Sequence, residues 1–159
     1  MTDIVDAATR SRMMSGIKGS HTKPELVIRK YLHSKGFRFR LHRKDLPGRP
    51  DLVLPKYKLV IFVHGCFWHC HFNCFYSRIP KTRVEFWTEK LSKNVERDAT
   101  QIERLVEAGW RVLVIWECGI NLAKGELSDI ERLIVSHASI AHWPVEPSRK
   151  GSSRDLAPL

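Results

Sequence analysis

Between Ile61 and Cys74 the chain reads IFVHGCFWHCHFNC, which sets His64, His69 and His71 among Cys66, Cys70 and Cys74 directly behind an apolar run. Imidazole and thiol groups at this density can ligate a metal, move a proton, or divide the two tasks between neighbouring positions. Cys66, His71 and Cys74, with Cys118 44 residues further on, make a Cys3His set suited to tetrahedral zinc. Cys66 and Cys118 each follow the end of a predicted apolar strand, so adjacent strands would bring them together. Four protein ligands leave no open position, which makes such a site structural. Cys70 competes with His71 as a ligand, and spacing alone leaves both open. The plainer reading is a group of reduced cysteines packed as small apolar side chains.

A second constellation lies beside the first. Asp51 opens one strand of a predicted hairpin and His64 closes the other, so antiparallel pairing puts them near one end of a sheet. Asp51 and a backbone carbonyl near Val63 can hold Mg2+, while His64 or His69 handles a proton or contacts a phosphate. An Asp after Pro also caps turns, and Glu25 completes a capping box with Thr22, so each carboxylate has a structural explanation too. Phe67 and Trp68 sit in the ligand-rich loop, where they could stack on bases or wedge between them. Trp87 lies on a helical stripe, for which core packing is the ordinary account.

The elements that must position these residues follow from periodicity. Thr22-Lys23-Pro24-Glu25 starts a helix expected over about 23–35, stopping at Gly36. Residues 37–42 alternate apolar and basic, as a strand with one wet face does. Leu52–Leu54 and Leu59–Val63 are apolar runs joined by a tight turn, and the second is apolar throughout, which fits a strand covered on both faces. Apolar residues at 84, 87, 91, 95, 102 and 105 predict a long helix over about 83–108. Residues 110–116 read as a buried strand beside the hairpin, and 127–137 as a final helix. Residues 7–17 are a further helix candidate, with Arg10 and Arg12 beside Met13 and Met14. This order implies an α/β fold with a mixed central sheet flanked by helices.

The chain has 159 residues and a net charge of +10, placed unevenly. Residues 120–159 balance five basic against five acidic side chains, leaving 22 basic against 12 acidic in residues 1–119. That asymmetry favours a polyanionic partner such as DNA. The length suits one domain over 1–143, with an N-terminal arm over about 1–21 and a flexible Pro/Ser/Arg-rich tail over 144–159. No apolar run has the ~18 residues of a membrane span and the N-terminus is no signal segment, so a cytoplasmic protein without a membrane partner is expected.

Several blocks match one family in collinear order over about residues 7–118. Pro47-Gly48-Arg49-Pro50-Asp51, His64-Gly65-Cys66-Phe67-Trp68-His69, Thr82-Arg83-Val84-Glu85-Phe86-Trp87, Lys93-Asn94-Val95-Glu96-Arg97-Asp98 and Gly109-Trp110-Arg111-Val112 resemble the very-short-patch repair (Vsr) mismatch endonucleases. The resemblance implies a restriction-endonuclease-like fold and a Mg2+-dependent nick of duplex DNA, 5' of the T in a T:G mismatch left by 5-methylcytosine deamination. It implies that Asp51 and the Val63 backbone bind Mg2+, that His69 acts near the water or scissile phosphate, and that Glu25 and His64 organise metal-bound water. It implies structural zinc on Cys66, His71, Cys74 and Cys118, which favours His71 over Cys70. Phe67, Trp68 and Trp87 would form a wedge at the mismatch, opposed by the arm around Met14, with Lys90 and Asn94 facing base edges. A monomer acting on bacterial nucleoid DNA, with other repair proteins as further partners, completes the expectation.

This chain departs from the family pattern in carrying Val63 where Thr is usual, and in a zinc loop one residue longer between His71 and Cys74. Two other readings remain open at this point: a zinc-stabilised DNA-binding module without catalysis, and a restriction-type nuclease that cuts both strands.

Overall fold

The computed structural model describes residues 6–9, 12 and 20–147. Met14 and most of the N-terminal arm lie outside the described residues, as do residues 148–159; Ala7–Thr9 and Arg12 are helical. Five strands form one mixed sheet in sequence order: β1 (Arg40–Leu41), β2 (Leu52–Leu54), β3 (Leu59–His64), β4 (Arg111–Trp116) and β5 (Ile140–Trp143). β1, β2 and β3 pair antiparallel, whereas β4 runs parallel to both β3 and β5. A parallel neighbour needs a long return. The His/Cys loop and helix α2 (Val84–Glu107) supply it between β3 and β4, and helices α3 (Glu117–Ala123) and α4 (Ser128–Val135) between β4 and β5.

Strand alternation divides the core into two layers. Leu59, Ile61, Leu113 and Ile115 face Ile28 and Leu32 of helix α1 (Lys23–Ser34), together with Ile120, Ile130 and Ile134. Val60, Phe62, Val112, Val114 and Trp116 face the other way, onto Leu105 of α2 and onto Cys66, Cys74 and Cys118. The uninterrupted apolar character of β3 and β4 therefore comes from burial on both faces. His64, two residues beyond Phe62, falls on the α2 side.

Local structure departs from the sequence expectations at five places. Residues 37–40 alternate in burial as predicted, but Leu41 is exposed and His42 half-buried, and only Arg40 and Leu41 pair with β2, so the strand is short. α3 and β5 were not expected at all; Glu117–Ala123 continues directly from β4, and Ile140–Trp143 is too short and too mixed to show a period. α4 is two residues shorter at its end than the predicted helix. At the start of α1, the Thr22 hydroxyl accepts from the Glu25 N–H at 3.4 Å, as a capping box requires, but the Glu25 carboxylate accepts from the His21 N–H at 2.8 Å instead of from Thr22.

Gly119 is fixed by close approach. A Cβ there would lie 2.5 Å from Pro144 Cδ and 2.7 Å from Trp143 Cζ3, so only glycine lets α3 lie against the end of β5.

Candidate functional site

The two constellations occupy the carboxyl end of β3, on the α2 side of the sheet and in the cleft beside it. Asp51, which leads into β2, accepts a hydrogen bond from the Val63 N–H at 2.7 Å through Oδ2. The register that pairs Leu52 with Ile61 sets this contact, since it draws the residue before β2 level with the end of β3. Burial pushes the Asp51 carboxyl up to about 6, against the lowering effect of the Val63 bond. A carboxylate held in these surroundings gains from a neighbouring cation.

Asp51, Val63, His64 and His69 line one cleft of about 390 Å³, together with His42, Arg97, Asp98 and Gln101. The loop carrying Asp51 crosses close to α2 at Gly48, where φ is +74° and a Cβ would come within 2.8 Å of Gln101 Oε1. His64 and His69 stack with ring centroids 3.7 Å apart and planes within 5°. Burial, with the neighbouring His69 second, pushes His64 down to about 3, so it stays neutral through the physiological range. His69 Nδ1 lies 2.5 Å from Asp98 Oδ2. Burial raises the Asp98 carboxyl, but the bond to His69 and the charges of His69, His64 and Arg97 together outweigh it and hold Asp98 below the ordinary carboxylate value. An ionised partner at Nδ1 makes that nitrogen the donor and leaves Nε2 as the second functional atom of the ring.

Glu25 is 1% exposed and does not line the cleft. Its Oε1 lies 2.6 Å from Arg29 Nη2 and 2.8 Å from His42 Nε2, and His42 Nδ1 is 3.9 Å from Asp51 Oδ1. Glu25 thus reaches Asp51 through His42, and Arg29 neutralises it. His21, Glu25 and His42 offer ligand atoms within 4.8 Å of one another, but Arg29 Nη2 already sits 3.0 Å from His21 Nδ1 and 3.1 Å from His42 Nε2, supplying the positive charge internally.

Cys66, His71, Cys74 and Cys118 are all buried, with ligand atoms within 4.8 Å of one another, and form a Cys3His metal-binding group. His71 Nδ1 is 3.6 Å from Cys66 Sγ and 3.5 Å from Cys118 Sγ. Burial lowers the His71 pKa and so favours the neutral, ligating form. Cys70 is half-buried and lies outside this group, whose fourth member is His71. Strand pairing explains the long gap to Cys118: β3 and β4 run in parallel with His64 opposite Trp116, so Cys66 and Cys118 each follow by two residues.

Phe67, Trp68 and Trp87 meet as one half-buried cluster, with centroids 5.0 to 6.0 Å apart. Lys90 Nζ lies within 6.0 Å of the ring centres of Trp68, Phe86 and Trp87. Asn94 Nδ2 donates to the Trp68 carbonyl at 3.0 Å. The first half of α2 is mostly exposed; Leu91 and Leu105 are its only buried residues. Trp87 is therefore packed among aromatics and not in the core that the stripe suggested.

Sequence reasoning missed His42, Asp98 and Gln101. A signal for two of them existed: Asn94, Asp98 and Gln101 interrupt the α2 stripe with polar residues between Leu91 and Leu105, and a polar break in an inward face marks a site.

A family profile described as DNA mismatch endonuclease Vsr matches residues 2–75. Over 121 residues the chain is 50% identical to the DNA mismatch endonuclease Vsr of Escherichia coli (strain K12), covering 76% of this chain and 77% of that protein. It is 46% identical over 133 residues to the type II nicking enzyme V.XorIIP of Xanthomonas oryzae pv. oryzae, covering 84% and 92%. A type II nicking enzyme of Neisseria meningitidis, V.NmeAIP, is 48% identical over 121 residues, covering 76% and 86%. With Asp51 and the histidine pair lining one cleft, a buried Cys3His group on the same loop, and identity at this level over most of its length, the chain belongs to the Vsr family of DNA mismatch endonucleases.

Proposed function

We propose that this protein is a Mg2+-dependent DNA endonuclease that nicks one strand of duplex DNA 5' of the T in T:G mismatches arising from 5-methylcytosine deamination. The observation that carries the reading is the cleft in which a half-buried Asp51 lies with the His64–His69 pair, beside the cluster of Phe67, Trp68 and Trp87. The names of the relatives, a mismatch endonuclease and nicking enzymes, support the reaction class. The charge of +10 supports a polyanionic substrate.

Asp51 offers one hard oxygen donor, which suits an ion that keeps most of its waters, and the Val63 carbonyl is the second ligand in this reading. Mg2+ there would supply charge neutralisation at the scissile phosphate. His69, aligned by Asp98, presents Nε2 to accept a proton from the attacking water or to donate to the phosphate. Neutral His64 backs the His69 ring and, with Glu25 acting through His42, organises solvent near Asp51. The Cys3His group fits zinc: tetrahedral Zn–S and Zn–N bonds put sulfur and nitrogen about 3.5 Å apart, and the two S···N separations are 3.5 and 3.6 Å. The wedge discriminates because a wobble pair costs less to unstack than a matched one. Residues 1–143 act in this reading as one restriction-endonuclease-like domain, as a monomer on bacterial nucleoid DNA, with Met14 in the opposing arm and the tail free for other repair proteins.

Asp51→Ala separates this reading from a non-catalytic binding module. Gel-shift affinity for a T:G duplex is expected to persist while nicking disappears. Undiminished nicking by Asp51→Ala would remove Asp51 from the chemistry.

A further inference from the structure

One face of α2 runs from the aromatic cluster to the imidazole pair. Trp87, Leu91, Asn94, Asp98 and Gln101 follow a four-three-four-three spacing, which stacks them along one side of a helix. At one end the Trp87 ring packs on Phe67 and Trp68, at 5.3 and 6.0 Å. In the middle, Asn94 Nδ2 donates to the Trp68 carbonyl at 3.0 Å. One turn on, Asp98 holds His69 Nδ1 at 2.5 Å, and Gln101 lines the cleft. Trp68 and His69 are consecutive, so the carbonyl that Asn94 holds belongs to the peptide unit joining them. The helix therefore grips two successive loop residues at two successive turns, one whose ring belongs to the wedge and one whose ring faces the cleft.

We propose that this face of α2 couples seating of the wedge to placement of His69, with Asn94 and Asp98 as positioning residues. The proposal rests on the nicking function above. A base that stacks on Trp68 pushes on the Trp68–His69 peptide. Asn94 fixes the plane of that peptide and Asp98 fixes the ring beyond it, so a correctly seated wedge leaves His69 Nε2 aimed at the phosphate and a poorly seated one does not. The Asn94 amide is thereby engaged with the protein's own backbone, which differs from the base-edge role expected from resemblance.

The test uses the full chain with Mg2+ and T:G and T:A duplexes, measuring single-turnover nicking at saturation and duplex affinity separately. Wild type, Asn94→Ala, Asn94→Asp (of equal size but with no donor), Asp98→Asn and the Asn94→Ala/Asp98→Asn double variant are compared. Each single variant is expected to nick T:G about tenfold or more slowly at saturation, with affinity held within about twofold. The double variant should lose much less than the product of the single losses, because both groups act on one dipeptide. Coupling is overturned if Asn94→Ala weakens duplex binding while nicking at saturation is unchanged, as a direct base reader would. Losses that multiply fully in the double variant overturn it as well. A wild-type protein that fails to nick T:G defeats the underlying function instead, so the two failures are distinct.

Discussion

In the proposed mechanism, His69 depends on two neighbours that do opposite things. Asp98 fixes its tautomer through a charged hydrogen bond, while His64, kept neutral by burial, stacks on its face without adding charge. Replacing His69 by Ala should therefore slow nicking by about 10²- to 10⁴-fold, the usual worth of a positioned acid or base, with T:G duplex affinity little changed. Equal rates for variant and wild type would exclude His69 from proton transfer. A second residue-scale prediction concerns stability. Tyr31 of α1 donates to Glu131 of α4, and burial, helped by that bond, pushes its pKa up to about 12. The folded state then holds the phenol proton more tightly than the unfolded chain does. The resulting stabilisation is complete below the ordinary tyrosine value near 10 and is lost as pH rises through about 12. Wild type should lose more unfolding free energy than Tyr31→Phe between pH 9 and 12; parallel losses would contradict the linkage.

The β3–β4 pair is the element that creates both sites, because parallel pairing of two buried strands carries Cys66 beside Cys118 and leaves His64 at the cleft. A crossover sheet of this kind depends on how its helices are tied to the strands. Arg111, the first residue of β4, donates through Nη2 to Leu133 at 2.9 Å, through Nη1 to Ile134 at 2.9 Å, and through Nε to Ala138 at 3.0 Å. It thus satisfies carbonyls at the carboxyl end of α4. Arg111→Ala should cost about 2 kcal/mol in denaturant unfolding, the range for charged hydrogen bonds; a change below a few tenths would show these bonds to be solvent-replaceable. Periods and caps carried much of this architecture in the sequence: α1 begins at its Thr22 cap, and the doubly buried strands read as apolar runs. β5 and α3 left no such trace. β5 owes its place to pairing with β4 and Gly119 to the approach of Pro144, both long-range facts. At the site, the Cys3His ligands were legible as a spacing and Asp51 as a strand opener. The routing of Glu25 through His42 was not, because His42, 17 residues further on, approaches it only after the chain beyond β1 folds against α1.

Across the whole molecule, the proposed function has one loop joining recognition, structure and chemistry in alternating positions. Cys66 and His71 bracket Phe67, Trp68 and His69, so a metal on the Cys3His group would fix the proposed wedge and the His69 imidazole together. Stripping that metal with a chelator, then restoring Mg2+, should lower the melting temperature by several degrees and depress nicking far more than it depresses duplex binding. Full nicking by the stripped protein would refute the coupling of metal to function. The basic excess of residues 1–119 sets the affinity scale, and log affinity should fall linearly with log salt for matched and mismatched duplexes alike. No helix among the described residues is long and apolar enough to cross a membrane. The most direct measurement is denaturing-gel analysis of two end-labelled duplexes, one with a T:G pair and one with T:A at the same position, incubated with the protein and Mg2+. The account predicts a single nick 5' of the mismatched T, no cut in the opposite strand, and little cleavage of the matched duplex. Equal cleavage of both duplexes, or of neither, would contradict it.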